Sequence, residues 1–336
     1  MLTQAANAFR WDKSARGHYE SYFQRANHPT RALAFWIRYT LFAPKGRPQD
    51  AVGELWAIYF DGESGRIAAI HRQHALNTCR FSRAGLDVEI GESVLSDGVL
   101  RGSAESSSHA ISWDLRYASS EQPLLLLPEK LYDAPFPKAK ALVAAPLAHF
   151  DGSLVVDGEP IEIADWVGSQ NHNWGVKHTD RYAWGQVAGF DDAPDSFLEL
   201  STAQVDLGPL KTPWMTPIVL RHEGHEYRLN AIGRTLRAHA HYTKRPENGL
   251  YRWHFSSQLP DVGVKGVIEA PEEAFVSLPY ANPPGGMKTC LNSKLARARI
   301  SLRRRGLPSV VLTTTHRAAF EILTESAVAG GSTLST

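Results

Sequence analysis

Hydrophobic and polar side chains alternate along most of this chain with a period of two residues. In residues 111–117, Ile, Trp, Leu and Tyr occupy one set of positions, while Ser, Asp and Arg occupy the other. Residues 251–255 alternate in the same way, and residues 35–42 are apolar on both sets apart from Arg38 and Thr40. Because successive side chains of a strand point to opposite faces, these patterns predict β-strands, the last one buried on two faces.

Turn-forming clusters separate many of the predicted strands. Asp-Gly-Glu-Ser-Gly at residues 61–65, Asp-Gly at 157–158 and Glu-Gly at 223–224 each lie between two strand-like runs and predict hairpins. Helical periodicity is rare, and only residues 14–26 and 67–75 favour short helices. Many short strands and no alternation of strands with helices predict an all-β protein. At 336 residues one sheet would be too large, so two consecutive antiparallel barrels or sandwiches are expected.

The division between the two expected β-domains lies near the middle of the chain. Residues 123–146 contain five prolines and predict an irregular excursion before the strands resume. We expect an N-terminal β-domain at residues 1–178 and a C-terminal β-domain at residues 179–324. Residues 325–336 are small and polar and include Gly, which predicts a disordered tail.

The composition excludes several classes of protein. Lys and Arg number 36 against 35 Asp and Glu, and this net charge of +1 argues against a nucleic-acid partner. No apolar run reaches the roughly 18 residues of a transmembrane helix, and the N-terminus lacks the layout of an export signal. Two cysteines, Cys79 and Cys290, exclude a disulfide scaffold and predict free thiols in a reducing, cytoplasmic compartment.

The densest run of polar and aromatic side chains lies between residues 165 and 186. It holds two Asn, two His, two Gln, two Asp and three Trp. Convergent polar groups in an aromatic lining are typical of a small-molecule pocket. The alternative is a polar crossing between sheets, in which Asn and Gln satisfy backbone groups. The candidate site residues of this run are Asp165, Asn171, His172, Asn173, Trp174, His178, Asp180, Tyr182, Trp184 and Gln186.

Metal binding by this run is not expected. His172, His178 and Asp180 have suitable ligand chemistry, and their even spacing would place them on one side of a strand. Their spacing matches no established zinc signature, however, and Gly175 is expected to break the strand between them. The sequence therefore predicts no metal site.

Two other segments carry candidate residues. Glu20 lies among aromatic residues, where loss of water would raise the pKa of its carboxyl group and keep it protonated as an acid. An exposed carboxylate on an ordinary strand is the alternative. Trp36 and Arg38 lie on an aromatic-rich strand, and Arg38 is expected to line the pocket or to pair with Glu54. After the turn at residues 283–286, Asn292 and Ser293 could line a site or cap a turn, and capping is preferred.

Three short segments, placed early, centrally and late in the chain, carry a resemblance to a known group of proteins. They are His-Tyr-Glu-Ser at 18–21 with the strand at 34–39, Gly-Ser-Gln-Asn-His-Asn-Trp-Gly at 168–175 leading into 182–186, and Cys-Leu-Asn-Ser-Lys-Leu-Ala at 290–296. Together they resemble the hydroxyneurosporene synthase (carotenoid hydratase) superfamily, which is similar to tocopherol cyclases and fungal Diels–Alderases. The resemblance covers residues 17–324. It implies two consecutive lipocalin-like β-barrels, with a hydrophobic ligand held in a barrel or between them. It also implies hydration, cyclisation or pericyclic closure of isoprenoid or polyketide skeletons without a redox cofactor.

These observations predict an enzyme that hydrates or cyclises an alkene. An acid would protonate the double bond, and the aromatic faces of Trp174, Trp184 and Tyr182 would stabilise the resulting carbocation. The expected proton donors are carboxyl groups kept neutral by apolar surroundings, namely Asp165, Asp180 and Glu20. The groups expected to position water or an internal hydroxyl are Asn171, Asn173, His172 and Gln186.

Two other functions fit the same residues. A lipocalin-like carrier of a lipid or terpenoid would need the same aromatic lining without performing any chemistry. A structural or stress-related protein would retain only a vestigial site packed shut by Trp side chains. For the enzyme and for the carrier, the expected partner is a hydrophobic small molecule.

Overall fold

The computed structural model describes residues 6–243, 245–324 and 332–333. Its regular structure is almost entirely β and forms two large antiparallel sheets, so the predicted all-β class is confirmed. No helix in these ranges is long and apolar enough to cross a membrane. The helices are short, namely α1 (Ile232–Thr235) and the 3-10 helices Pro48–Asp50, Leu76–Thr78, Glu129–Leu131 and Glu272–Ala274.

The first sheet has twelve strands and curves into a nearly closed barrel. Its spatial order is β4-β3-β2-β1-β12-β11-β9-β8-β7-β6-β5, and β10 pairs with β11. The first strand therefore lies between the second and the last. The strands are β1 (His18–Asn27), β2 (Leu33–Ala43), β3 (Val52–Asp61), β4 (Arg66–Ala75), β5 (Cys79–Phe81), β6 (Asp87–Ile90), β7 (Ser93–Ser96), β8 (Val99–Glu105), β9 (Ala110–Ala118), β10 (Leu124–Leu125), β11 (Ala139–Val156) and β12 (Glu159–Gly175).

The second sheet has eleven strands in the order β18-β17-β14-β13-β24-β23-β21-β20-β19, with β22 between β23 and β25. A separate two-stranded sheet joins β15 to β16. The strands are β13 (Arg181–Ala188), β14 (Phe197–Gln204), β15 (Asp206–Leu207), β16 (Leu210–Lys211), β17 (Ile218–His222), β18 (His225–Leu229), β19 (His239–Tyr242), β20 (Leu250–Gln258), β21 (Val262–Pro271), β22 (Val276–Ala281), β23 (Met287–Arg304), β24 (Val310–Thr324) and β25 (Ser332–Thr333).

The two sheets follow each other along the chain. The first ends at Gly175 and the second begins at Arg181, so residue 178, our proposed domain boundary, lies in the connecting segment. Most of the tail expected at residues 325–336 lies outside the described residues. Within that stretch, β25 pairs in parallel with β22.

The period-two pattern is confirmed where it was clearest, and both predicted helices are wrong. Residues 111–117 lie in β9, residues 251–255 in β20 and residues 35–42 in β2, and the three turn clusters connect antiparallel neighbours. Residues 67–75 form β4 and most of residues 14–26 form β1. β1 is buried along its whole length although more than half of its residues are polar, and only the first half of β4 combines apolar side chains with burial. A short apolar run of this kind imitates a buried helix.

The three largest hydrophobic regions follow from this arrangement. Each barrel has its own interior, which contains Tyr39 and Trp113 in the first and Trp253 and Phe320 in the second. Between the sheets lies a third region, which we call the inter-sheet layer. Its aromatic members are Phe23, Trp36, Trp56, Phe60, Tyr182, Trp184 and Tyr280. Its polar members are Arg25, Arg38, Asn171, Gln186, Glu199, Lys294 and Glu321.

Candidate active site between the two sheets

Strand alternation divides the polar run of β12 between two environments. The Asn171 side chain points to the second sheet, where its Oδ1 accepts a hydrogen bond from Gln186 Nε2 at 2.9 Å. The next residue, His172, points to the first barrel, and its ring stacks on Tyr22 at 4.3 Å. Neighbouring residues of one strand therefore belong to different sites.

Gln186 is the centre of a buried hydrogen-bond network in the inter-sheet layer. Its Oε1 accepts hydrogen bonds from Ser169 Oγ at 2.7 Å and from Arg25 Nε at 2.8 Å. Its Nε2 donates to Asn171 Oδ1 and to Glu199 Oε2, both at 2.9 Å. The structure thus brings the predicted residues Asn171 and Gln186 together, and it adds Arg25 and Glu199, which sequence analysis did not single out.

Glu199 is the buried carboxyl group of this network. Its Oε1 accepts a hydrogen bond from Trp184 Nε1 at 3.1 Å, and its side chain is almost fully removed from water. Burial raises the pKa of Glu199 to about 7, although the hydrogen bonds from Gln186 and Trp184 and the charge of Arg25 oppose the shift. Since both observed bonds are accepted, each carboxyl oxygen keeps a position for a proton. Glu199 therefore gains or loses its proton near neutral pH, and it accepts a hydrogen bond from an indole N–H.

A buried ion pair lies on the other side of Trp184. Lys294 Nζ is 2.8 Å from Glu321 Oε1 and 2.5 Å from Asn292 Oδ1. The same ammonium group lies 5.6 Å from the centre of the Trp184 ring and 5.5 Å from that of Trp36. Asn292 therefore binds Lys294 of β23 and Glu321 of β24, and the preferred expectation that it caps a turn is wrong.

Arg38 and Glu54 are neighbours in the layer, but they do not form the direct pair considered from the sequence. Arg38 donates to Ser21 Oγ and Thr40 Oγ1, at 2.6 and 2.9 Å. The carboxyl group of Glu54 instead accepts a hydrogen bond from Gln73 Nε2 at 3.2 Å. The guanidinium of Arg38 lies 4.7 Å from the centre of the Tyr280 ring, close enough for a cation–π interaction.

Glu20 and His172 form a second buried cluster at one end of the first barrel. Glu20 Oε1 lies 2.9 Å from His172 Nε2, and Glu20 Oε2 lies 2.8 Å from His18 Nε2. The backbone N–H of Arg10 donates to both carboxyl oxygens, and His172 Nδ1 lies 2.7 Å from the carbonyl oxygen of Ala6. The N-terminal segment therefore covers this cluster.

The charge state of Glu20 differs from the one expected. Burial raises its pKa, but the hydrogen bonds and charges of His172 and His18 outweigh burial and lower it to about 2. The carboxylate is therefore ionised, and the expectation of a protonated acid kept neutral by aromatic neighbours is wrong. The desolvation argument failed because it omitted two histidines that the fold places at the carboxyl group.

This lowered pKa predicts a specific sensitivity to acid. Because the folded-state pKa lies below the ordinary value of 4.5, Glu20 contributes stability above pH 4.5 that is lost as the pH falls towards 2. Between pH 6 and pH 3, the wild-type protein should lose about 2 kcal/mol of unfolding free energy that Glu20→Gln does not lose. Urea unfolding followed by tryptophan fluorescence measures this difference. The exposed Glu92→Gln should behave as wild type, and equal acid sensitivity of Glu20→Gln would contradict the assignment.

The structure separates the two aspartates proposed as proton donors from the inter-sheet network. Asp165 is exposed at 71% of its side chain and pairs with His149, so the apolar surroundings expected for it are absent. Asp180 is buried, but its oxygens lie 2.6 Å from Lys177 Nζ and 2.8 Å from the backbone N–H of Asp206. Burial raises the pKa of Asp180, while these hydrogen bonds and the charges of Lys177 and Lys288 hold it below its usual range. Asp180 is therefore held ionised as well.

The remaining predicted residues fall on both sides of the first sheet. Trp184 and Tyr182 line the inter-sheet layer, and half-buried Asn173 lies on the Asn171 side of β12. Trp174 lies on the His172 side, 4.7 Å from that ring. The His178 ring stacks between Tyr19 and Tyr280, at 4.0 and 5.7 Å. Burial and the charge of Arg38 lower the pKa of His178 to about 3, so His178 is neutral.

Sequence reasoning missed several residues of the layer because each is a single charge in an apolar strand. Glu199 stands between leucines in β14, and Glu321 stands between Phe320 and Ile322 in β24. Isolated charges in strands buried on two faces were the available signal, since such charges need buried partners. Which charges meet depends on the packing of the sheets. The described residues contain no group of three or more side chains arranged to hold a metal ion.

Comparison with known proteins shows the fold. No protein-family model matches the chain. Two uncharacterized proteins of Mycobacterium tuberculosis, from strains CDC 1551 and H37Rv, are each 24% identical over 307 residues, covering 89% of this chain and 85% of theirs. Kievitone hydratase from Nectria haematococca aligns with a TM-score of 0.57 at 12% identity, over 92% of this chain and 89% of its own. CghA, solved with Sch210972, aligns at 0.56 and 12%, over 95% and 94%.

These similarities extend over nearly the whole chain, so they concern both sheets together. At such low sequence identity, they establish a shared fold and leave the reaction open. The fold implied by the sequence resemblance is thereby confirmed. Membership of the hydroxyneurosporene synthase superfamily in particular stays a prediction.

Proposed function

We propose that this protein is a cofactor-independent enzyme that protonates an alkene in the inter-sheet layer and completes a hydration or cyclisation. The observation that carries the proposal is Glu199, a buried carboxyl group with a pKa of about 7 beside the indole ring of Trp184. An acid whose pKa lies near the working pH is well suited to proton transfer. We therefore assign to Glu199 the role of proton donor that the sequence suggested for Glu20, Asp165 and Asp180.

The proposed reaction begins when the Glu199 carboxyl group gives its proton to one alkene carbon. The π electrons form the new C–H bond, and the adjacent carbon becomes a cation. The faces of Trp184 and Phe23 stabilise this cation through their ring quadrupoles. Lys294 does not oppose it with a full charge, because Glu321 neutralises Lys294 at 2.8 Å.

The cation is then captured in one of two ways. In hydration, a water oxygen forms the new C–O bond and releases a proton to the Glu199 carboxylate, so the net change is addition of water. In cyclisation, an internal hydroxyl can attack and release its proton to the Glu199 carboxylate. Alternatively, a second alkene attacks to form a C–C bond and a new cation, which then loses a proton from an adjacent carbon to Glu199. Neither route adds atoms to the substrate. Asn171 and Gln186 lie next to Glu199 and are placed to orient the attacking group.

Two observations about other proteins support a reaction of this kind. Kievitone hydratase, which has the same fold, is named for a hydration, and CghA has been solved with the small molecule Sch210972. The isoprenoid nature of the substrate rests on the sequence resemblance and on the aromatic lining. A cytoplasmic location remains part of the proposal.

A doubly labelled solvent tests the proposed function. The purified protein is incubated with geraniol, farnesol or geranylgeraniol in deuterium oxide enriched in oxygen-18, and the products are analysed by mass spectrometry. Hydration adds one deuterium to carbon and one oxygen-18, whereas cyclisation adds carbon-bound deuterium alone. Recovery of only unlabelled, bound alcohol would contradict the enzyme and favour the lipocalin-like carrier. Heat-denatured protein is the control for spontaneous addition.

A further inference from the structure

Arg38 is a buried cation without an acidic contact. It is 7% exposed, and its hydrogen bonds are donated by Nε to Thr40 and by Nη2 to Ser21, both neutral hydroxyl groups. Among the described residues, no carboxylate oxygen lies within 4.0 Å of Arg38, and Nη1 makes no hydrogen bond. The charge of Arg38 helps to lower the pKa of Glu54, but the Glu54 carboxyl group contacts Gln73 at 3.2 Å and His71 at 3.6 Å instead. A buried charge in this situation is costly unless a counter-charge completes it.

The surroundings of Arg38 contain further unpaired donors. The guanidinium lies 5.9 Å from the centres of both the Trp36 and Trp56 rings and 4.7 Å from that of Tyr280. Trp36 and Trp56 are each 1% exposed, and the indole N–H of each is buried without a hydrogen-bond partner among the described residues. Buried N–H groups of this kind normally have an acceptor. A ligand that satisfied Arg38 and these two indole N–H groups would carry acceptor oxygens and a negative charge.

An aromatic ring, Phe23, lies between the donors around Arg38 and the proposed acid Glu199. The Phe23 ring lies 6.0 Å from Trp36 and 6.2 Å from Trp184, so Phe23 joins the Arg38 group to the indole that contacts Glu199. A ligand that reaches from one to the other would lie along aromatic rings with a polar group at each end. The neutral ring of His178, stacked on Tyr280, adds no competing charge near Arg38.

We propose that Arg38, with the indole N–H groups of Trp36 and Trp56, binds a carboxylate of the substrate. The substrate is then an unsaturated acid, whose carboxylate lies at Arg38 and whose alkene reaches Trp184 and Glu199. Guanidinium and carboxylate match in geometry, and aromatic walls suit the hydrocarbon part. This inference rests on the proposed function, because it names the substrate class of the same site.

A matched pair of ligands tests the carboxylate subsite without relying on turnover. Farnesoic acid and farnesol share a hydrocarbon chain and differ in the end group, and isothermal titration calorimetry at pH 7.5 measures the affinity of each. The wild-type protein should bind the acid more tightly. Arg38→Gln should weaken the binding of farnesoic acid by roughly 10- to 100-fold, as expected for the loss of a hydrogen bond to a charged group. The binding of farnesol should weaken by less than about twofold. Arg38→Lys should recover part of the loss, and the exposed Arg116→Gln should change neither affinity.

Each other result overturns the subsite. Equal wild-type affinity for the acid and the alcohol, or no measurable binding of the acid, shows that Arg38 does not select a carboxylate. If Arg38→Gln weakens the binding of both ligands equally, Arg38 only supports the packing. Circular dichroism establishes whether that variant is folded. The proposed catalytic role of Glu199 fails independently, since Glu199→Gln is assayed by turnover and the subsite by binding.

Discussion

Replacement of Glu199 by Gln is expected to reduce turnover by roughly 10²- to 10⁴-fold, the usual contribution of a positioned general acid. In the wild-type protein the protonated form of Glu199 is the active one. Turnover should therefore be constant well below pH 7 and fall about tenfold for each pH unit above it, because the pKa of Glu199 is about 7. Steady-state rates between pH 5 and pH 9, with the alkene that the labelling experiment identifies, measure both effects.

The pH dependence of this profile involves several neighbours of Glu199. Arg25 from β1 lowers its pKa and Glu321 from β24 raises it, while Tyr132 lies near enough for Glu199 to raise the tyrosine's pKa. Glu162→Gln, an exposed change on β12, is the matched control and should keep the wild-type profile. Turnover of Glu199→Gln above a tenth of the wild-type rate, or an unchanged alkaline limb, would remove Glu199 from the mechanism.

The same raised pKa has an effect on stability that runs opposite to that of Glu20. Because the folded-state pKa of Glu199 lies above 4.5, its stabilising contribution is present below pH 4.5 and is lost as the pH rises through 7. The wild-type protein should therefore lose stability between pH 5 and pH 8 relative to Glu199→Gln. Glu199→Gln should therefore lose turnover while it avoids the loss of stability as the pH rises. Such opposite effects on activity and stability are common where a site is built from buried polar groups.

The second large effect is expected at the buried ion pair. Lys294→Met removes the cation that lies 2.8 Å from Glu321 and leaves a buried carboxylate without its counter-charge, so unfolding free energy should fall by about 3–5 kcal/mol. Combining Lys294→Met with Glu321→Leu removes both charges and should recover most of that loss. Guanidinium unfolding at pH 7, followed by circular dichroism, measures the three proteins.

An exposed ion pair provides the comparison for this cycle. Arg31 and Glu63 are 55% and 45% exposed, and Arg31→Met should cost less than about 1 kcal/mol. If the double variant at 294 and 321 is no more stable than Lys294→Met, the two charges are not coupled. The loss would then come from packing against Trp36 and Trp184.

Strand alternation explains how much of the site the sequence could predict. The period-two pattern identified the clearest strands. The polar run at residues 165–186 contained Asn171, Trp184 and Gln186, which the structure joins through hydrogen bonds between Asn171 and Gln186 and from Trp184 and Gln186 to Glu199. The same alternation places His172 on the opposite side of β12, but which side faces the second sheet depends on how the barrels pack. The prediction grouped them because it treated a strand segment as one surface.

Long-range partners explain what the sequence could not predict. The charge state of Glu20 depends on His172, 152 residues away, and the network around Gln186 depends on Arg25, 161 residues away. Desolvation can be inferred from nearby aromatic residues, whereas a compensating partner from another strand cannot. Burial determines the raised pKa of Glu199, as it was wrongly expected to do for Glu20. The sequence around Glu199 gave no indication that the indole N–H of Trp184 would bind it.

The order of strands in the first sheet also affects how the chain matures on the ribosome. β1 pairs with β2 soon after synthesis, but its other neighbour, β12, ends only at Gly175. At about 5–20 residues per second, the free edge of β1 waits roughly 10–30 s for that neighbour. We expect Glu20 and Arg25, as charges on this open strand edge, to oppose pairing with other nascent chains during the delay. Two residues that are buried in separate clusters of the folded protein would then also limit aggregation while the chain is being made.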